Sequence, residues 1–202
     1  MHQMFTHLHT HSNFSFLDGG SSVEALIDRA KEVGCDSLAL TDHNGLYGAV
    51  RFYERARKAD IKPIIGTELK MENGGHVVLL AKNLEGYSNL CRILTRAHLS
   101  HEKGNASASL ELLDRYRNHL FCLSGCRGGE PSSLLLHGKH EAAEQAAARF
   151  AEIFGCENYF IEIQNHLLPG SGLLIAQLAE LAKKLRLETV ATNNVHYARK
   201  DD

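Results

Sequence analysis

Short apolar segments and amphipathic helical segments alternate along almost the whole of the 202-residue chain. Residues 37–40 (Ser-Leu-Ala-Leu) are typical of a buried strand, and residues 47–59 carry apolar side chains at helical spacing. Further strands are predicted at residues 4–10, 61–67, 76–81, 120–123, 159–164 and 188–192. This pattern is typical of a mainly parallel α/β sheet, either open or closed into a barrel. The link between 61–67 and 76–81 fits a hairpin or a crossover.

Side chains that can bind metal follow these predicted strands at the point where each strand ends. His9 and His11 end the first strand, and the others follow later strands: Asp42, His43, Glu68, Cys126, Asn194 and His196. In a parallel α/β barrel the carboxyl ends of the strands open on one face, where active sites lie. Residues far apart in the sequence are therefore expected to converge on one cleft.

Each of these residues also has a simpler explanation when it is taken alone. Asp42 can cap the helix that follows it, Glu68 can be an exposed strand-end residue, and Cys126 can be a small buried side chain. His9 and His11 can lie on the polar, solvent-exposed face of a partly exposed strand. The coincidence of ligand-type side chains at nearly every strand end favours a shared metal site.

The mixture of imidazole, carboxylate and thiol groups is typical of sites for zinc, manganese or iron. These ligands outnumber those of one tetrahedral site, so we expect two or three divalent ions. Paired ions suit phosphoester hydrolysis, because they activate water and stabilise the leaving oxygen.

Two basic residues are candidates for contact with phosphate or substrate. Arg127 is a candidate phosphate clamp, and the glycines around it allow backbone amides to approach an anion: Gly125, Gly128 and Gly129. A plain turn before a helix explains the same stretch equally well. His166, which follows the strand predicted at residues 159–164, is the second candidate.

The formal net charge of −2 gives the protein no overall positive field for nucleic acid. A modest basic strip near the cleft is explained equally well as a solvated helix face: Arg92, Arg96, His98, His101 and Lys103. The five cysteines include no Cys-x-x-Cys pair, which favours a reducing, cytoplasmic setting. The sequence shows no signal-peptide pattern and no apolar run near the ~20 residues that span a bilayer, so we expect no membrane partner.

Five short motifs resemble, in order, those of the polymerase and histidinol phosphatase (PHP) domain family. They are His9-Thr10-His11, Thr41-Asp42-His43, Gly66-Thr67-Glu68, Ser124-Gly125-Cys126 and Asn194-Val195-His196. Residues 14–19, 45–48 and 193–198 are similar to the N-terminal domain of bacterial DNA polymerase III alpha subunits, in particular the error-prone type. The resemblance covers essentially the whole chain. It implies a single metal-binding domain over residues 1–202, within the N-terminal part of a longer polymerase chain.

The resemblance also implies a distorted (β/α)7 barrel with three metal sites. The implied ligands fall into three sets, two of which share Glu68: His9, His11, Glu68 and Asn194; Glu68, His98 and Cys126; and Asp18, His43 and His196. For His98, a simpler explanation is a cation that suits the carboxyl end of its helix. Asn194 departs from the family, which usually has aspartate there, so one negative charge is lost at the first site.

The function implied by the resemblance is phosphoester hydrolysis by metal-activated water, in the form of a 3′–5′ exonuclease that trims primer ends. Its implied partners are the polymerase domains of the longer chain and, through them, DNA. Two alternatives stay open. One is a metal-binding scaffold domain with weak or no activity that supports the polymerase, and the other is a stand-alone phosphatase for a small monoester.

Overall fold

Strands and helices are interspersed through residues 5–200, the part of the chain that the computed structural model describes. The strands of this range are β1 (Ser37–Leu40), β2 (Lys62–Lys70), β3 (His76–Ala81), β4 (Leu120–Leu123), β5 (Tyr159–Ile163) and β6 (Glu188–Ala191). Its helices are α1 (Val23–Glu32), α2 (Ala49–Lys58), α3 (Leu84–Leu99), α4 (Leu110–Tyr116), α5 (Glu130–Leu136), α6 (His140–Phe154) and α7 (Ser171–Leu185). None of these helices has the length and apolar character needed to cross a membrane.

The strands lie side by side in chain order, and the segment before α1 lies between the two ends of the sheet. In this segment His7 forms a parallel bridge with Leu38 of β1, and Thr10 forms another with Val195, just after β6. Six strands and this segment therefore curl into a distorted α/β barrel, which confirms the predicted fold class. The first strand, predicted at residues 4–10, pairs here through isolated bridges, and Met4 lies outside the described residues.

Strand β3 runs antiparallel to both of its neighbours, whereas the other pairs of strands are parallel. Lys70 of β2 pairs with His76 of β3 across a short turn, so the two strands form a hairpin and not a crossover. This reversal distorts the barrel. It also places the first residue of β3, instead of its last, at the end of the barrel where the parallel strands finish.

An inner core fills the barrel, and two outer cores lie under the helices. The inner core draws buried side chains from several strands: Ala39, Val78, Leu80 and Leu123. One outer cluster packs α1 and α2 against β1, and a larger one packs the remaining helices on the outer face of the sheet. Because side chains alternate along a strand, Glu68 and Glu162 occupy inward positions at one end. The inner core is therefore polar at that end, where the candidate site lies.

Candidate metal centre

Glu68 lies at the centre of a cluster of histidines at the polar end of the barrel. The residue is only 8 % exposed. Its Oε2 lies 2.8 Å from Nε2 of His9, and its Oε1 lies 2.9 Å from Nδ1 of His43. The Nε2 atoms of His76 and His11 lie 3.6 and 3.7 Å from Oε2. One buried carboxylate therefore faces imidazoles that come from distant parts of the chain.

Within residues 5–200, potential ligand atoms form three overlapping groups, and within each group they lie within 4.8 Å of one another. The groups share Glu68 and His11, so they form one continuous cluster: His9, His11 and Glu68; His11, Asp18 and His43; and Glu68, His76 and Cys126. Two further predicted ligands extend the cluster. Nε2 of His196 lies 2.9 Å from Oδ2 of Asp18, and Oδ1 of Asn194 lies 2.9 Å from Nε2 of His11.

Of the ligands that the family resemblance implies, His98 is the one that the structure does not bring into this cluster. It is exposed in the last turn of α3, and its Nε2 lies 2.7 Å from the backbone oxygen of Asn44. The place expected for it beside Glu68 and Cys126 is taken by His76, whose Nε2 lies 3.3 Å from Sγ of Cys126. His76 begins a strand instead of ending one. His76 reaches the cluster because β3 is antiparallel. In the sequence, the Gly-Gly turn before His76 was the feature that indicated such a hairpin.

The buried carboxylate of Asp42 holds the loop that follows the first segment. Its Oδ1 accepts hydrogen bonds of 2.7 Å from the backbone N–H of Ser12 and from the hydroxyl of Ser15. Its Oδ2 accepts a bond of 2.8 Å from the hydroxyl of Ser12. This loop leads to Asp18, whose Oδ2 lies 2.6 Å from Nε2 of His43. Asp42 therefore braces the loop that carries Asp18, a role that sequence analysis did not assign to it.

A tight turn after β4 brings Cys126 against His76. Gly125 in this turn has a φ of 84°, and a Cβ added there would lie 2.7 Å from the backbone oxygen of His76, so glycine is needed.

Nη1 of Arg127 is buried and has no hydrogen-bond partner within residues 5–200. Arg127 lines a cleft of about 630 Å³ together with other residues of interest: His166, Asp18, Cys126, Asn194 and His196. Both predicted phosphate contacts thus lie on the cleft beside the cluster.

Carboxylates keep two of the histidines protonated. Burial alone would lower the pKa of His9, but the carboxylates of Glu162 and Glu68 raise it to about 9. The hydrogen bond to Glu68 raises the pKa of His43 to about 9 as well, against the effect of burial. Burial would raise the pKa of Glu68, yet its hydrogen bonds from His43 and His9 hold that pKa well below its usual range. The carboxylate at the centre is therefore anionic.

Burial keeps three other potential ligands uncharged. It lowers the pKa of His11 to about 3, and it lowers the pKa of His76 as well. It raises the pKa of the Cys126 thiol to about 11. Neutral imidazoles offer a lone pair to a metal, and a bound cation would deprotonate the thiol. With the anionic Glu68, this set of nitrogen, oxygen and sulfur donors fits divalent transition-metal ions.

Metal affinity is expected to rise with pH. Since His9 and His43 have pKa values of about 9, both are imidazolium cations in the metal-free protein at neutral pH. A metal ion that binds either ring must displace one of its two N–H protons. Affinity should rise about tenfold per pH unit for each proton displaced, and this effect should level off as the pH passes the raised pKa values. Competition of Zn²⁺ between the protein and a chelator from about pH 6 to 8 measures it. Affinity independent of pH would contradict the protonated state of both histidines.

The fold and the cluster define the class of protein, a distorted α/β barrel with a candidate metal centre at its mouth. Residues 7–166 match the model of the PHP domain, so the chain belongs to the PHP domain family. The resemblance predicted from the motifs is thereby confirmed.

Bacterial DNA polymerases are among the relatives of the chain. It is 41% identical over 214 residues to an error-prone DNA polymerase of Symbiobacterium thermophilum, a match that covers 98% of this chain and 20% of the relative. It is 39% identical over 212 residues to a DNA polymerase III subunit alpha of Treponema pallidum, covering 98% of this chain and 18% of the relative. The chain therefore spans about a fifth of the length of these curated relatives.

Solved structures share the fold at low sequence identity. One is a two-domain protein of Bacteroides vulgatus described as containing a PHP-like metal-dependent phosphoesterase. Its TM-score is 0.59 at 18% identity, and the match covers 95% of this chain and 51% of that one. Another is an amidohydrolase of Chromobacterium violaceum, with a TM-score of 0.59 at 18% identity over 95% of this chain and 87% of that one. These similarities support the barrel assignment.

Proposed function

We propose that the chain is the metal-dependent phosphoesterase domain of a DNA polymerase III alpha-type polymerase, and that it removes nucleotides from 3′ ends of DNA in the cytoplasm. The observation that carries the proposal is the continuous cluster around Glu68, which borders a cleft lined by Arg127. Membership of the PHP family and the polymerase relatives support it. Since those relatives are about five times longer, we propose the other polymerase domains and DNA as partners.

The cluster would hold two or three divalent ions in adjacent sets of ligands, two of which share Glu68. The proposed sets are His9, His11, Glu68 and Asn194; Glu68, His76 and Cys126; and Asp18, His43 and His196. The thiol of Cys126 favours zinc in the second set, whereas the other two sets suit zinc, manganese or iron. When bound, such ions activate water and stabilise the leaving oxygen of a phosphoester.

Side chains of the cleft would bind and orient the phosphate. Arg127 lines the cleft, and its guanidinium suits a phosphate oxygen there. Its buried Nη1 has no hydrogen-bond partner in the described chain. His166 lines the same cleft and is exposed to a ligand there. The basic strip that begins on α3 is less suitable, because its two arginines contact protein groups at 2.9 Å: Arg92 with Asn89, and Arg96 with Tyr116.

Removal of divalent ions is expected to abolish hydrolysis of a single-stranded DNA oligonucleotide. The proposed ions would activate water and stabilise the leaving oxygen, and both effects are lost when the ions are removed. Protein purified without chelator would be analysed for metal content, treated with excess chelator and then resupplied with Zn²⁺ or Mn²⁺. Activity that persists in excess chelator would contradict the proposal. Preference for a small monoester such as histidinol phosphate over DNA and nucleotides would identify a stand-alone phosphatase.

Asn194 favours a second candidate function, a metal-binding scaffold that supports the polymerase. Its amide oxygen lies 2.9 Å from His11, at a position where a carboxylate would add negative charge. A neutral ligand binds a cation more weakly, so one ion of the first set would be held less tightly. A protein that binds metal and gains thermal stability from it, yet cleaves none of these substrates, would be such a scaffold.

A further inference from the structure

Glu162 is a buried carboxylate of strand β5 that contacts the metal cluster from inside the barrel. The residue is 1% exposed and follows Phe160 at the next inward position of the strand. Its Oε1 lies 2.8 Å from Nδ1 of His9, while Nε2 of the same ring lies 2.8 Å from Glu68. The imidazole of His9 is therefore held between two carboxylates, one at each ring nitrogen.

Several strands fix the position of this carboxylate. The side-chain amide of Gln164 donates to Oε1 of Glu162 at 2.8 Å, and the hydroxyl of Thr192 donates to the same oxygen. The backbone N–H of Glu162 donates to Oγ of Ser124 at 2.9 Å. Three segments, at the ends of β4, β5 and β6, thus orient Glu162 towards His9. Its second oxygen, Oε2, has no hydrogen-bond partner within residues 5–200.

Stability alone is a poor explanation for this carboxylate. A buried ion pair is often replaced by apolar side chains with no loss of stability, or even with a gain. Neighbouring inward positions of the barrel are filled by such side chains, including Val78 and Leu123. In metal sites, by contrast, a carboxylate that accepts the second N–H of a ligating histidine fixes the tautomer and the orientation of the ring.

We propose that Glu162 is a positioning residue of the metal centre. It accepts the Nδ1–H of His9 and so leaves Nε2 as the nitrogen that binds metal, aimed at the space shared with Glu68 and His11. Glu162 acts through His9 and is not itself a ligand. This inference rests on the metal-binding part of the proposed function and does not depend on which phosphoester is hydrolysed.

The test compares Zn²⁺ binding by the full 202-residue chain and its Glu162→Gln variant, measured by competition with a chromophoric chelator. Glu162→Gln should weaken Zn²⁺ binding about 10–100-fold, because His9 loses its anionic partner. A second measurement is the proton NMR signal of the His9 Nδ1–H in metal-free protein, identified by its loss in His9→Gln. This signal should shift or vanish in Glu162→Gln while circular dichroism shows an unchanged fold.

Glu188→Gln is the matched control, since it removes the same charge from an exposed position on the neighbouring strand β6. It should leave Zn²⁺ affinity within about twofold of the wild type. If Glu162→Gln does not fold, Thr192→Val replaces it, because this variant keeps the carboxylate but removes a donor that orients it. Unchanged Zn²⁺ affinity in whichever variant folds would overturn the role of Glu162. A wild-type chain that binds no Zn²⁺ would overturn the metal centre itself.

Discussion

Glu68→Gln is expected to lower divalent-metal affinity roughly 100-fold or more, and hydrolysis should be lost with it. A structural zinc site contributes about 10–16 kcal/mol, so each of four ligands accounts for about 3 kcal/mol, or roughly 100-fold in affinity. Glu68 belongs to two of the three groups of potential ligands, so its replacement weakens both. Glutamine offers one neutral oxygen where the carboxylate now faces His9 at 2.8 Å and His43 at 2.9 Å.

Elemental analysis and competition with a chelator measure this loss, and Glu72→Gln is the control. Glu72 carries the same charge on the exposed turn after β2, so its replacement should leave metal affinity within about twofold of the wild type. NMR titration of the metal-free variant offers a second check. The pKa of His43 should fall from about 9, because its hydrogen bond to the Glu68 carboxylate is lost. The pKa of His9 should fall less, because Glu162, the larger cause of its raised value, remains. Wild-type metal content in Glu68→Gln would show that Glu68 is not the shared ligand.

Much of the barrel and of the cluster could be predicted from the chain because parallel strands finish on one side of a sheet. Once strands and helices were recognised by their periodicity, residues at the strand ends were expected to meet. Glu68 lies near the end of β2, Cys126 follows β4 and His196 follows β6. The structure brings all three to one end of the barrel. To predict that these residues meet, it is enough to know approximately where each strand ends. An apolar segment followed by polar residues marks that point well.

The direction of a strand, in contrast, is not encoded in its own apolar pattern. Residues 76–81 look the same whether the strand is parallel or antiparallel, so His76 at its start was not recognised as a candidate ligand. The spacing held a usable signal, because only residues 68–75 separate the two predicted strands. A parallel crossover needs about a dozen residues or more, so a short Gly-Gly turn permits only a hairpin. That hairpin places His76 beside Glu68.

Glu162 illustrates a different limit of sequence reasoning. Within Tyr-Phe-Ile-Glu-Ile it is one charged residue in an apolar strand, which is equally typical of a strand with one solvent-facing position. Its burial makes physical sense only through its contact with His9, a residue 153 positions away. Contacts of this kind depend on how the barrel closes. The local sequence pattern around Glu162 therefore does not reveal its contact with His9.

His76 and His98 are expected to respond to alanine substitution in opposite ways. His76→Ala should lower Zn²⁺ affinity of the group containing Cys126 roughly 100-fold, by the same estimate of about 3 kcal/mol per ligand. Nε2 of His76 lies 3.3 Å from Sγ of Cys126 and 3.6 Å from Oε2 of Glu68. His98→Ala should change affinity less than about threefold, because His98 is an exposed residue outside the cluster.

The loop beside His43 should also keep its position in His98→Ala. His98 forms a hydrogen bond with the backbone oxygen of Asn44 there. The side chain of Asn44 separately binds the backbone N–H of Lys70 at 2.9 Å and the backbone oxygen of Ala106 at 3.1 Å. Substituted Co²⁺ offers a direct measurement, because its thiolate absorption band reports coordination by Cys126. The band should weaken in His76→Ala and persist in His98→Ala. The reverse result would mean that His98 binds the metal, as the family resemblance implies, and that the antiparallel β3 does not supply a ligand.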